Sequence, residues 1–294
     1  VSTATDSNLQ TIGWNGITLS CPRRWETIIT KATHLLFEEN FKPVFELRWH
    51  EEKRHSERSI KATLHKIAEE TGLLVQRDLP PHWEKLQEHY ALKLLADSET
   101  KETKAAIMIC KECGTTLLLY FFHPQNRLYH RELTQIIHSI HCHQQQKNAE
   151  TLWAIQDFKV LLPEDFTLSG HNFGAGLTRL SFVRSGLTIH LCRIAGAAQR
   201  LERTSMLSLL NLLGDLDISE EQVETHNDAI SHCSSPSILQ QIRSRLKRKA
   251  PFHQVILRHH PEYDRLSGLF FFDKKPIPET LTTSILESYE IFSL

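Results

Sequence analysis

Cys110 and Cys113 lie in the stretch "MICKECGTT" (108–116), a C-x-x-C-G arrangement between two apolar runs. Two thiolates on a tight turn form half of a tetrahedral zinc site, the geometry of one arm of a zinc ribbon. The other half needs two more ligands, and the sequence holds no second C-x-x-C or C-x-x-H. The nearest candidates are His141, Cys142 and His143, at the end of the helix expected to follow the hairpin. A redox pair is a second chemistry for the same thiols. Thioredoxin-type pairs, however, draw a low thiol pKa from a helix N-terminus, and a strand-to-strand turn supplies none. The plainest reading is structural: two small residues close a hairpin, with Gly114 for the turn.

Two further clusters have chemistry to offer. "ILQQIRSRLKRKA" (238–250) packs Arg243, Arg245, Lys247, Arg248 and Lys249 against an apolar stripe of Ile238, Ile242 and Leu246, an amphipathic helix with a basic outer face. The plainest reading is a solvated face; as a binding surface it suits an acidic protein partner better than nucleic acid, because no aromatic residues interleave to stack bases. His259 and His260 are adjacent, and neighbours on a strand point to opposite faces, so they share one metal poorly. "SGHNFGAG" (169–176) is glycine-rich but precedes a strand, so it lacks the helix N-terminus that phosphate binding uses. G-x-S-x-G, H-E-x-x-H and P-loop patterns are all absent from the sequence.

The elements that must position these residues read as one pattern written twice. "GITLSCPRRWET" (16–27) and "DFKVLLPEDFTL" (157–168) each run as an alternating strand, then Pro, two polar residues and an aromatic. Pro22 and Pro163 are 141 residues apart, as are Trp25 and Phe166, the latter pair expected as core anchors. A hairpin pattern, a helix ending in Gly72 or Gly214, a second hairpin and a last helix follow in both copies. The last helix of the first copy sets Leu133, Ile136, Ile137 and Ile140 on one face. The expected fold class is therefore α+β: two tandem repeats, each a mostly antiparallel sheet flanked by helices, in the order β-β-β-α-β-β-β-α. The boundaries read as a tail at 1–12, a first repeat at 13–142, a linker at 143–151 and a second repeat at 152–294. The strand "HYALKLLAD" (89–97) has no evident counterpart between 215 and 250.

The opening "GITLSCPRRWE", echoed by "DFKVLLPEDFT" and followed by that order of elements, resembles the PsbP-like fold superfamily. This resemblance implies binding and assembly roles, chaperone-like ones among them, and brings no catalytic motif to carry over.

Composition bounds the rest. A chain of 294 residues is long for one compact core and suits two domains. A net charge of −1 removes the global electrostatic case for nucleic acid or an anionic membrane. Apolar runs such as "LLLYFF" (117–122) are far too short to span a bilayer. Six irregularly placed cysteines do not form a disulfide framework, which favours a reducing cytoplasm, and an opening Val1 leaves room for upstream processing. Eighteen histidines outnumber tyrosine, tryptophan and methionine together, which matters only where they converge. The first expectation is thus a non-enzymatic binding, adaptor or chaperone-like protein with a protein partner and no cofactor. The alternative is a zinc protein using Cys110 and Cys113 with ligands near 141–143; the third is a hydrolase with its site between the domains.

Overall fold

The computed structural model describes residues 8–50, 62, 66, 69–76, 79, 81–122, 127–142, 150–174, 176–239, 241 and 250–293. The chain divides into two units, residues 1–147 with 152–156, and residues 148–151 with 157–294. Residues 152–156, read from sequence as the start of the second repeat, therefore belong with the first unit.

In the first unit, β1 (Leu9–Trp14) and β2 (Ile17–Pro22) form a hairpin with Trp14 opposite Ile17. β1 begins inside the expected tail. Pro22 then turns the chain through one tight bend, closed by the Trp25 N–H donating to the Pro22 carbonyl at 3.0 Å, and Trp25 is driven into the core at 1% exposure. β3 (Glu26–Lys31), β4 (His34–Glu39), β5 (Lys42–His50), β6 (Leu74–Val75), β7 (Tyr90–Ala96), β8 (Thr103–Cys110) and β9 (Thr116–Phe121) make one antiparallel sheet, ordered β3-β4-β5-β9-β8-β7-β6. β9 buries Leu117, Leu119 and Phe121 on one face, the period-2 pattern of a half-covered strand. Each such side chain removed from water contributes roughly 1.5–3 kcal/mol. Helix α1 (Arg127–His138) and the turn after it bury the expected stripe of Leu133, Ile136, Ile137 and Ile140. β10 (Glu150–Ile155) brings Ala154 opposite Gly13 of β1.

The second unit opens with β11 (Phe158–Pro163), and the Phe166 N–H closes the same bend onto the Pro163 carbonyl at 3.1 Å. Its sheet comprises β12 (Thr167–Gly174), β13 (Leu177–Arg184), β14 (Leu187–Ala195), β15 (Glu224–His226), β16 (Ala229–Cys233), β17 (Phe252–His260) and β18 (Arg265–Asp273). The order is β12-β13-β14-β18-β17-β16-β15, the same sequence of connections as in the first unit. The short helix α2 (Ala197–Leu201) and α3 (Met206–Gly214) follow β14. Ser205 caps α3, its hydroxyl accepting the Ser208 N–H at 3.1 Å, and Leu209, Leu210 and Leu213 pack into the cluster of Val255, Leu257 and Phe270. Helix α4 (Glu279–Ser288) and β19 (Glu290–Ile291) end the unit, β19 pairing with β11.

The expected α+β class is corrected. The protein is mostly β, its strands arranged in three antiparallel sheets. Pro-x-x-aromatic turned out to be a corner between two strands rather than the end of one, so the period-2 reading undercounted strands. The edge strand β15 and its neighbour β16, which pairs with both β15 and β17, also lie within the polar stretch 215–250, and strands this short leave almost no apolar alternation. Most of the helix read over 56–72, and the basic stretch 242–249, lie outside the described residues. No helix among the described residues is long and apolar enough to cross a membrane.

Candidate metal centre

Cys110 is the last residue of β8 and is buried, Cys113 sits exposed on the following turn, and Cys142 is buried four residues beyond α1. The turn is fixed by its backbone: the Cys110 N–H donates to the Thr115 carbonyl at 2.9 Å and the Gly114 N–H to the Cys110 carbonyl at 3.1 Å. Gly114 has φ +77°, a left-handed conformation that costs glycine almost nothing.

Several contacts carry Cys142 to that turn. The buried apolar stripe seats α1, and the Ser139 hydroxyl accepts the Ser20 N–H of β2 at 2.8 Å while donating to the Ile136 carbonyl at 2.7 Å. His141 exchanges two backbone hydrogen bonds with Thr18, each 2.9 Å. The Tyr90 hydroxyl donates to the Ile140 carbonyl at 2.9 Å. Tyr90 is also the cross-strand partner of Cys110, so one side chain ties the hairpin to the segment bearing Cys142.

The three sulfurs lie within 4.8 Å of one another, and Cys113 Sγ is 3.5 Å from Cys142 Sγ. Zn–S bonds of about 2.3 Å at tetrahedral angles put neighbouring sulfurs about 3.8 Å apart. The Cys113–Cys142 separation fits two thiolates on one ion, the three sulfurs together are close enough to share it, and none is at the bond of about 2.05 Å of a disulfide.

Electrostatics separate Cys113 from Cys142. For Cys113, burial opposes ionisation, but hydrogen bonding to the Thr115 hydroxyl and backbone and to the Cys142 and Cys110 thiols outweighs it, and its pKa falls to about 7. Thr115 Oγ1 lies 3.1 Å from its sulfur. Burial pushes the Cys142 thiol up, and the neighbouring Cys113 and Cys110 sulfurs push the same way. One thiolate forms readily and then resists the next. A cation held between these sulfurs would offset that repulsion.

Of the ligands anticipated from sequence, Cys110, Cys113 and Cys142 converge. His141 does not join them: it is exposed, and its backbone is committed to Thr18. No other Cys, His, Asp or Glu among the described residues joins the three thiols as a fourth ligand. His143, Arg243, Arg245, Lys247, Arg248 and Lys249 lie outside the described residues. His260 Nε2 sits 2.8 Å from Ser267 Oγ, and neither it nor His259 belongs to a group of metal-ligating side chains there. The residues SGHNFG of the glycine-rich stretch form most of β12. Sequence reasoning missed Tyr90, Thr115 and Ser139. Only the β7–β8 register, which sets Tyr90 opposite Cys110, could have pointed to the first of them.

No family model matches the chain, and no curated protein is significantly similar to it. Among solved structures, the crystal structure of MucB in complex with MucA(peri) is 8% identical, covering 95% of this chain and 83% of that one, with a TM-score of 0.24. The complex of Pseudomonas aeruginosa MucA/MucB is 10% identical over 97% of this chain and 92% of that one, also at 0.24. The structure of MucB alone, 10% identical over 97% and 93%, scores 0.21. TM-scores of this size do not establish a shared fold.

Proposed function

We propose that this chain is a non-catalytic binding protein whose first unit is held closed by a thiolate-bound zinc ion. The observation that carries the reading is the convergence of Cys110, Cys113 and Cys142, from two separate segments, to within 4.8 Å of one another. Soft thiolates select zinc over the hard, oxygen-seeking calcium and magnesium. The ion would join the hairpin tip to the tail of α1, a structural role of the kind that Cys-rich zinc sites fill. The binding half of the reading draws on the outer strand β12, which has no charged residue from Thr167 to Gly174. Such an unguarded edge can accept an added strand from a protein partner.

The test is metal content of the full chain purified under reducing conditions, with melting followed with and without chelator. One zinc per chain is expected, with a lower Tm after chelation and loss of the metal in Cys110→Ser. A chain that contains no zinc, takes none up on titration and melts identically with chelator present overturns the reading.

A further inference from the structure

The spacing of the thiols gives the centre a second chemistry, and this inference rests on the zinc reading. We infer that hydrogen peroxide converts the centre into a Cys113–Cys142 disulfide and expels the metal, leaving Cys110 as a free thiol. Cys113 is the one exposed sulfur of the three, so peroxide meets it first. Its sulfur stands 3.5 Å from that of Cys142, and closing to a bond of about 2.05 Å asks for a shift of about 1.5 Å at a turn residue. Cys110 also contacts Cys113 and is the competing partner, and the peptide map distinguishes the two pairings.

The chemistry balances. Peroxide transfers one oxygen to the Cys113 sulfur as its O–O bond breaks, and the other oxygen leaves as water after taking a proton. Cys113 is then a sulfenic acid. The Cys142 sulfur attacks it, the S–S bond forms as the S–O bond breaks, and the second oxygen leaves as water. Two thiols give up two electrons and one peroxide accepts them. With two of its thiolates gone, zinc departs. The disulfide joins the same two segments that the ion joined, so the unit stays clamped when the metal leaves.

The experiment treats the zinc-loaded full chain with stoichiometric peroxide, follows released zinc with a chromogenic chelator, and maps unreduced peptides by mass spectrometry. Expected are one zinc released per disulfide, a linked Cys113–Cys142 peptide, and recovery of bound zinc after dithiothreitol. The oxidised protein should melt above the reduced, chelated one. Cys233→Ser, which removes an exposed thiol outside the cluster, should leave release unchanged, and Cys113→Ser should slow it at least tenfold. Should that variant fail to load, the peptide map of the parent chain decides. Zinc absent at time zero sinks the zinc reading itself. Zinc that is present but retained, released without a disulfide, or replaced by a linkage through Cys110, sinks the switch alone.

Discussion

At the closing end of the first unit, Ser139 holds Ser20 of β2 and the next residues bridge Thr18 through His141. At the closing end of the second, Ser288 accepts the Leu161 N–H of β11 at 3.1 Å and donates to the Ile285 carbonyl at 2.9 Å, and Glu290 pairs with Lys159. The hairpin tips match too, with Gly114 and Asp264 both left-handed at φ +77° and +52°. Counting from these shared contacts, Cys110, Cys113 and Cys142 correspond to His260, Tyr263 and Ile291. The second unit has no thiol cluster there. It has Asp157, 3% exposed, clasped by Arg193 and by Arg265 Nε at 2.6 Å, with the Phe292 N–H donating to the Asp157 carbonyl at 2.9 Å. The contrast teaches that one backbone plan can be tied at the same end by different side chains: in one unit by an ion-paired triad, and in the other by three neighbouring thiols for which the proposed zinc would be the link.

The largest expected effect comes from breaking the self-contained clamp. Asp157→Ala leaves the Arg193 side chain, 11% exposed, without its carboxylate and should cost the second unit about 3–5 kcal/mol. Burial alone would raise the Asp157 pKa, but the hydrogen bonds and charges of Arg193 and Arg265 outweigh it and hold the carboxyl below the usual carboxylate range. A depressed folded-state pKa contributes stability that is full above the ordinary carboxylate value near 3.9 and is lost as pH falls below it. Protection factors of β18 amides, corrected for intrinsic exchange, should therefore fall below about pH 4 in the parent chain, and that extra acid sensitivity should vanish in Asp157→Ala. Equal acid sensitivity in both would show that the triad is not the second unit's clamp.

Zinc removal ranks next. At a free zinc concentration of about a hundred times Kd, the bound ion contributes roughly 2.7 kcal/mol, so chelation should lower the melting of the first unit and spare the second. A uniform drop, read by exchange in β8 and β17 together, would deny that the clamps are local. Smaller again are the two serines. Ser139→Ala and Ser288→Ala each remove hydrogen bonds worth about 1 kcal/mol net, but only Ser139→Ala should also weaken zinc binding, because it loosens the segment that delivers Cys142. Zinc titrations of the two variants make that comparison directly.

Cys110 and Cys113 are legible in the sequence at once, and the end of the amphipathic helix offers His141, Cys142 and His143 together as candidate partners. The sequence could not show that Cys142 rather than His141 would face the turn, since that depends on a two-residue bridge to Thr18 with no local signature. The Asp157–Arg193–Arg265 triad was invisible for a similar reason: its members are 36 and 108 residues from the aspartate, joined only by sheet register. Core strands such as β9 were legible because burying one face imposes alternation. Edge strands such as β15, exposed throughout, carry no such imprint.

The smallest test concerns the hairpin tips at the opposite ends of two matching strand pairs. Between β4 and β5 the turn is Asn40–Phe41, at φ +51° and +61°, and between β13 and β14 it is Ser185–Gly186, at +47° and +100°. Two-residue turns of this kind ask for positive φ at both positions, which glycine meets freely and phenylalanine does not. The left-handed conformation costs a non-glycine residue about 1–2 kcal/mol, and Phe41 recovers little by burial because it is 85% exposed. Phe41→Gly returns that strain while adding roughly 0.5–1 kcal/mol of chain entropy to lose on folding. The net should be a gain of between zero and about 1.5 kcal/mol in the first unit, with zinc affinity unchanged. Gly186→Phe should cost the second unit more, since φ +100° suits no L side chain. A loss of stability in Phe41→Gly would mean that the exposed ring contributes more than its surroundings account for, and the two tips would no longer be equivalent turns.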